Sequence, residues 1–248
     1  MNPGWKSLLP RPVRRFLRDI ADRLPFEAKR RYPRYSSPEE TERFLYQERY
    51  VRFDLRPGDR VVDIGSGGDP FPHASVLVER FPDPSRHRTV GLNRAGKPMV
   101  KADIHALPFA DKSFEFVYCS HVLEHVDDPI RACGEIIRVG RRGYVETPSP
   151  CKDALFAWAK DMHRWHLAAI GSRLCFFEYT PRQLEGIRSS AWRDLIYSKW
   201  YHPLQEVLFE NQDLFNVMFP WRGAFSVYVF RLDGTVETMN AGNPAGEP

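Results

Sequence analysis

The stretch VVDIGSGGDPFP, from Val61 to Pro72, predicts a buried strand that runs into a glycine-rich turn and then into a helix that begins at proline. The apolar character of residues 61–64 suits a strand buried on both faces. The glycines after it let the backbone turn tightly and pass close to a ligand. Turns of this kind, between a strand and a helix, typically bind a nucleotide.

Short strands and helices alternate from residue 51 to residue 148. We predict strands over 60–64, 89–92, 100–104, 114–120 and 143–147, and helices over 72–81 and 127–140. Asp127 or Asp128 caps the second helix, Pro129 lies in its first turn, and Gly140 follows its last turn. This alternation is typical of a Rossmann-like α/β fold, an open and mostly parallel sheet with helices on both faces.

The pattern changes after residue 148. Two apolar runs on either side of Gly171 and Ser172 predict a β-hairpin, and Thr180, Pro181 and Gln183 predict the capping box of a helix. Two further apolar runs around PWRG predict a C-terminal antiparallel strand pair. The predicted organisation is a basic helical arm (1–50), a core (51–148), an insertion that holds the hairpin (149–211), the final strands of the core sheet (212–232) and a disordered polar tail (233–248).

Composition points to a globular protein, since the 248 residues are 42% hydrophobic and 27% charged. No apolar run approaches the ~18–20 residues that span a bilayer, and the four scattered cysteines fit reduced thiols of a cytoplasmic protein. Lys and Arg outnumber Asp and Glu over residues 1–34, where 13–24 form an amphipathic helix. That helix packs on its own domain or on a partner subunit, or it contacts the inner face of the membrane through residues 11–34. The oligomeric state stays open.

The glycine-rich turn does not fit two common nucleotide motifs. In the dinucleotide motif G-x-G-x-x-G, counted from Gly65, the third glycine position holds Pro70. Asn93 stands where an acidic residue should end the predicted second strand. The Gly-Lys-Ser/Thr ending of a phosphate-binding loop is absent too. NAD, FAD and a nucleoside triphosphate are therefore poor fits.

The turn is similar to the first motif of the class I S-adenosylmethionine (SAM) methyltransferases, D-x-G-x-G. Asp63, Gly65 and Gly67 match it, while Asp69 stands where many members of that family have a further glycine. No diphosphate is bound in that family, so a strict third glycine is not needed.

A second segment resembles the same family more closely. The run KADIHALPFADKSFEFVYCSHVLEHVDDP, residues 101–129, is similar to the part around strands three and four of the methyltransferase type 11 group, which includes quinone-pathway enzymes. Order and spacing are kept, and Glu115 replaces the usual Asp. The resemblance covers residues 51–148 and implies a SAM-dependent methyltransferase whose insertion, 149–211, forms a cap over the substrate.

The resemblance also implies which residues contact SAM. Four residues of the glycine-rich turn are expected to lie around the methionine part of SAM: Asp63, Gly65, Ser66 and Gly67. Asp103 accepts a hydrogen bond from the adenine amino group, and the Ile104 amide serves a ring nitrogen. Asn93 contacts the ribose hydroxyls, more weakly than the acidic residue usual there. Ser120 and His121 line the pocket near the transferred methyl group.

An alcohol that attacks the methyl group needs a base, and histidine suits neutral pH. His121 is the first candidate and His125 the second. Three further side chains are predicted to contact the substrate: Glu146, His163 and His166. The predicted acceptor is a small molecule or a glycan precursor, and no nucleic acid, since the N/D-P-P-Y/F signature is absent. No metal site is predicted, because a hairpin would place His163 and His166 on opposite faces.

Two alternatives remain open beside this O-methyltransferase. A SAM-fold protein without catalysis could hold a complex together through its basic N-terminal helix; Asn93 and Asp69 favour this, and the intact LEHVDDP run argues against it. The other alternative is a membrane-associated enzyme that methylates a lipid-linked glycan.

Overall fold

In our computed structural model, residues 42–82, 91–156, 162–188 and 211–241 are described. The strands are β1 (Val61–Ile64), β2 (Val76–Glu79), β3 (Met99–Lys101), β4 (Phe116–Ser120), β5 (Arg142–Pro148), β6 (Trp165–Ile170), β7 (Arg173–Glu178), β8 (Asn216–Arg222), β9 (Ser226–Phe230) and β10 (Val236–Met239). The helices are α1 (Glu42–Tyr50), α2 (Pro129–Val139), α3 (Pro150–Phe156), α4 (Pro181–Arg188) and α5 (Gln212–Phe215), and Leu123–His125 form a 3-10 turn.

Six strands form the main sheet in the order β3-β2-β1-β4-β5-β8. All neighbours are parallel except β8, which runs antiparallel to β5. Strands β1 and β4 lie at the centre, and every residue of both is buried, which explains their continuous apolar runs. This architecture confirms the predicted Rossmann-like, mostly parallel sheet.

A helix packs on each face of the main sheet. On one face, Phe44 of α1 lies over Phe71 and Tyr118, whose stacked ring centroids are 4.1 Å apart. On the other face, α2 buries Ala132, Cys133, Ile136 and Val139 against the sheet. The prediction of helices on both faces is therefore confirmed.

Helix α1 falls inside the residues that were assigned to the N-terminal arm. Its side chains Phe44, Tyr46 and Gln47 are buried, so the packed core begins before residue 51. The basic helix at 13–24 and the membrane-contact prediction for 11–34 lie outside the described residues. Among the helices that are described, none combines the length and apolar character needed to cross a membrane.

A second sheet has the order β10-β9-β7-β6. Strands β6 and β7 form the predicted hairpin around Gly171, and β9 pairs parallel to β7. Its inner side contributes Trp165, Phe176 and Val227 to the same hydrophobic core as Ile136 of α2. The hairpin thus contributes side chains to the core of this fold.

Two helix termini form as the sequence predicts. Asp128 accepts a hydrogen bond from the Arg131 amide at the start of α2. At α4, the Thr180 amide donates to the Gln183 side chain and the Gln183 amide donates to the Thr180 hydroxyl, a complete capping box.

The predicted helix over 72–81 is wrong, and the described part of the predicted strand over 89–92 is not a strand. Residues 76–79 form strand β2, which is paired on both sides, Val78 with Ile64 of β1 and with Val100 of β3. Residues 91 and 92 have no strand structure, and 89 and 90 lie outside the described residues. The short segment 65–75 therefore links β1 to β2 without a helix.

The predictions for the C-terminal segment also need correction. Strands β8 and β9 do not pair with each other, because β8 joins the main sheet and β9 joins the second sheet. The tail was predicted to be disordered, but Val236–Met239 form β10, antiparallel to β9. Residues 242–248 lie outside the described residues.

Candidate active site

A cavity of about 410 Å³ lies where β1, β2 and β4 end, at the carboxyl edge of the parallel strands. Ligands of open α/β sheets bind at this edge, and the volume falls in the range of ~300–1,000 Å³ that is usual for small-molecule sites. Five residues predicted from the sequence line it: Gly65, Gly67, Ile104, His121 and His125.

A larger cavity of about 670 Å³ lies at the opposite edge of the sheet. It is lined largely by charged side chains, and Arg142 there binds Asp59 at 2.7 Å. None of the predicted site residues lines this second cavity.

The glycine-rich turn is held by the carboxylate of Asp63. This buried side chain accepts a hydrogen bond of 2.7 Å from the Phe71 amide, across the turn. Gly65 and Gly67 have φ of +76° and +59°, a left-handed conformation that glycine adopts without strain. A Cβ on Gly65 would also collide with Cγ2 of Val122. The hydroxyl of Ser66 is buried and has no hydrogen-bond partner among the described residues.

Glu79 is the residue that the sequence reasoning missed. It ends β2, lines the cavity and accepts a hydrogen bond from the Gly67 amide. Asn93 does not end a strand: its amide donates to the Gly67 carbonyl at 3.2 Å, and its side chain accepts from Ala95. The short apolar run VLVE, which ends in an acidic residue, could have identified Glu79 from the sequence as the residue that ends the second strand. The premise for Asn93 as the ribose contact is therefore wrong.

Asp103 follows β3, but the described part of the cavity wall includes its neighbour Ile104 and not Asp103 itself. Its Oδ2 lies 3.0 Å from Nε of Arg80, and its Oδ1 lies 2.6 Å from Nδ1 of His105. Partial burial acts to raise the pKa of Asp103, but the hydrogen bonds from His105 and the charge of Arg80 outweigh it and lower the pKa. The carboxylate is thus ionised beside the cavity, and its contact with adenine stays a prediction.

His121 lies on the cavity wall between two buried carboxylates. Its Nδ1 is 3.4 Å from Oε1 of Glu124, and its Nε2 is 3.4 Å from Oε1 of Glu146. Burial favours the neutral ring, but the two carboxylates outweigh burial and raise the pKa of His121. Its φ of +57° is a conformation that side-chain-bearing residues rarely adopt, and such strain is typical of functional sites. Ser120 beside it is buried, and no described residue bonds its hydroxyl.

Glu146 is completely buried at the end of β5. Its carboxylate accepts hydrogen bonds from Tyr46 and Gln47 of α1 and from Tyr144. Burial acts to raise the pKa of Glu146, but His121 and its other partners lower it to about 2. The carboxylate therefore joins α1 to His121, while its predicted contact with the substrate stays a prediction.

The three other predicted histidines lie in different surroundings. His125 lines the cavity, and His163 is buried with its ring centroid 4.7 Å from that of His125. His166 points elsewhere, since its ring stacks on Phe177 of β7 at 5.2 Å. Burial lowers the pKa of His166. The predicted separation of His163 from His166 agrees with this geometry, but the approach of His163 to His125 was not foreseen.

Comparisons with known proteins point to one family. Residues 80–145 match the model of the methyltransferase domain family. This segment of the chain is therefore similar to the domain of SAM-dependent methyltransferases. An uncharacterized methyltransferase of Mycobacterium sp. (strain JLS) is 39% identical over 96 residues, which are 36% of this chain and 38% of that protein. A demethylmenaquinone methyltransferase of Renibacterium salmoninarum is 34% identical over 97 residues, 35% of this chain and 39% of that protein.

A solved SAM-dependent methyltransferase from Mesorhizobium loti is 17% identical, with a TM-score of 0.42, and the match covers 75% of this chain and 100% of that one. The chain matches little more than a third of the length of the two curated relatives named above.

SAM is the cofactor of such a methyltransferase domain, and the cavity fits it in three respects. The volume suits a ligand of this size, the left-handed glycines allow the backbone to approach it, and Glu79 presents a carboxylate at the wall. The apolar side chains of Val78, Ala102 and Ile104 provide a surface for a base.

Proposed function

We propose that this protein transfers the methyl group of SAM to an oxygen atom of a small molecule or a glycan precursor. The observation that carries the proposal is the cavity at the carboxyl edge, which has Gly65 and Glu79 in one wall and His121 and His125 in another. A ligand that fills the glycine end brings its reactive part toward the histidines. An oxygen nucleophile is favoured, because an alcohol must lose its proton to attack and His121 in the cavity wall is placed to take it.

Bound SAM supplies an electrophilic methyl group whose leaving thioether needs no acid. The turn of Gly65 and Gly67 holds the methionine end, and Glu79 accepts hydrogen bonds from the ribose hydroxyls. Asp103, which follows β3 next to the cavity-lining Ile104, would accept a hydrogen bond from the adenine amino group. These residues position and desolvate the reactants, which accounts for much of the rate in an in-line displacement.

His121 is the proposed base. Glu146 lies at Nε2 and orients the ring, as the third group of a catalytic triad orients its histidine. The strained backbone is secured by the His121 amide, which donates to the Glu146 carbonyl at 2.8 Å. The neutral ring, with its proton on Nε2 toward Glu146, can accept the acceptor's proton at Nδ1, and Glu124, 3.4 Å from Nδ1, then stabilises the imidazolium that forms.

A His121→Asn variant tests this role. Asparagine keeps a polar group near the position of Nδ1 but cannot remove a proton, so kcat should fall by about 100-fold or more. Binding of S-adenosylhomocysteine should change little, and calorimetry with that product serves as the control. A variant with full turnover would remove His121 as the base.

The ribose contact is tested by two matched variants. Glu79→Gln keeps an oxygen for the Gly67 amide but loses the charge, so affinity for S-adenosylhomocysteine should fall roughly 10- to 100-fold, the value of a charge-assisted hydrogen bond. Asn93→Ala should leave that affinity within about twofold, since among the described residues the side chain accepts its hydrogen bond from Ala95 of its own loop. If titration calorimetry shows a larger loss of affinity in Asn93→Ala than in Glu79→Gln, Asn93 and not Glu79 is the ribose contact.

The activity itself is tested with radiolabelled SAM and a panel of acceptors. The panel contains hydroxylated aromatics, sugars, a lipid-linked glycan and a demethylated quinone, because one relative is named a demethylmenaquinone methyltransferase. We expect S-adenosylhomocysteine, but not NAD, to raise Tm by several degrees. Stabilisation without transfer to any acceptor would favour the scaffold alternative, and no stabilisation by the product would contradict SAM binding.

A further inference from the structure

Glu124, His125 and His163 form a cluster beside the cavity. Each offers one ligand atom, and the three atoms lie within 4.8 Å of one another. Glu124 is only 1% exposed, and neither of its oxygens has a hydrogen-bond partner among the described residues. Its Oε1 lies 3.4 Å from Nδ1 of His121, a charged contact without hydrogen-bond geometry. A buried carboxylate that lacks hydrogen bonds is costly, and a bound cation would complete its surroundings.

Each imidazole ring has an oxygen close to Nδ1, in a hydrogen bond for His125 and at ion-pair distance without hydrogen-bond geometry for His163. Nδ1 of His125 lies 3.0 Å from the Met162 carbonyl, an acceptor only, so it is the protonated nitrogen. Nδ1 of His163 lies 2.9 Å from Oδ1 of Asp153, whose other oxygen accepts a hydrogen bond from Tyr179. Histidines that bind metals show this pattern, in which a carbonyl or carboxylate at one ring nitrogen directs the other to the ion.

The chain segments that carry the cluster are joined by hydrogen bonds. The Arg164 amide, one residue after His163, donates to the Glu124 carbonyl at 2.8 Å, and the Trp165 indole donates to the Val126 carbonyl at 2.7 Å. On the other side, Nε2 of His125 lies 3.8 Å from Oε1 of Glu124. The geometry is therefore set by the fold and not by exposed, freely rotating side chains.

We propose that Glu124, His125 and His163 bind a divalent transition-metal ion of the zinc type. Two imidazoles and one carboxylate are a ligand set that zinc uses, whereas Mg²⁺ prefers oxygen ligands alone. Zinc–ligand distances of ~2.0–2.2 Å place ligand atoms about 3.4 Å apart, so the side chains move inward by about 1 Å on binding. The sequence predicted no metal site, because only His163 and His166 were considered together.

A zinc ion held by three protein ligands keeps a fourth position for water or substrate. Because His125 lines the cavity, that position suits an oxygen of the methyl acceptor. This assignment rests on the proposed function, whereas metal binding does not.

The test measures metal binding alone, without SAM or acceptor. Full-length protein is treated with a chelator, dialysed against Zn²⁺ or Mg²⁺, and analysed for metal content and by calorimetry. We expect one Zn²⁺ per chain, no stoichiometric Mg²⁺, and a rise in Tm with Zn²⁺. Wild-type protein that is folded by circular dichroism and binds no stoichiometric Zn²⁺ would overturn the proposal.

Variants identify the ligands. His125→Asn and His163→Asn keep an amide near the position of Nδ1 but remove Nε2, and affinity for Zn²⁺ should fall about 100-fold in each. His166→Asn is the matched control and should bind as the wild type does. If either histidine variant fails to fold, Glu124→Gln takes its place. Equal loss in His166→Asn, or none in the ligand variants, would also contradict the site.

Discussion

A Gly65→Ala variant should lose S-adenosylhomocysteine binding by about 100-fold or more, because two penalties of a few kcal/mol in total add together. The first is the left-handed φ of +76°, which alanine adopts with strain. The second is the collision of the new Cβ with Val122, a residue of the cavity wall. The variant must shift either the turn or that wall, and both line the cavity proposed to hold the cofactor. Titration calorimetry with the product measures the loss.

Gly96→Ala is the control for backbone strain alone. Gly96 has a similar φ of +72°, but apart from its chain neighbours no atom of the described residues lies within 4 Å of the Cβ position. We expect this variant to cost about 1 kcal/mol of stability and to bind S-adenosylhomocysteine as the wild type does. Equal affinity in the two variants would mean that the turn of Gly65 does not hold the cofactor.

The second large effect is expected on folding. Glu146→Gln should lower the free energy of unfolding by about 3 kcal/mol, the scale of breaking a buried charged network. Glutamine presents an N–H₂ group to side chains that donate, namely those of Tyr46, Gln47 and Tyr144. At least one buried donor is then left without an acceptor. Denaturant unfolding followed by circular dichroism measures the change.

Glu115→Gln is a suitable comparison on the neighbouring strand segment. Its carboxylate bonds the Arg60 amide and side chain, but the Arg60 side chain is 61% exposed. The loss there should stay below about 1 kcal/mol, as for other exposed ion pairs. If Glu146→Gln were no more destabilising than this, the buried carboxylate would not be the anchor of α1.

Local patterns predicted several parts of the site correctly. Strands β1 and β4 are buried on both faces, so their apolar runs needed no knowledge of the partners. The start of α2 depends on Asp128 and Pro129, which act within one turn. Asp63 orders the glycine turn through the Phe71 amide, only eight residues away.

Strand β2 could not be predicted in this way. Ala74, Leu77, Val78 and Phe81 have a helical spacing, and the short run VLVE suits a strand equally well. Residues 76–79 form a strand and not a helix because they pair with β1 and β3. This pairing buries Leu77 and Val78 completely. Because residues 72–81 were predicted to be a helix, the second strand was placed at 89–92, with Asn93 rather than Glu79 as the residue that ends it.

The sequence by itself determined the parallel core, its glycine-rich turn and the two histidines after β4, because burial, caps and backbone conformation act over a few residues. Tertiary structure decided which sheet β8 and β9 join, that Glu79 ends a strand, and that His163 lies beside Glu124 and His125. Those outcomes depend on pairing and packing between segments far apart in the chain. The free energy of such contacts exists only once both partners are in place.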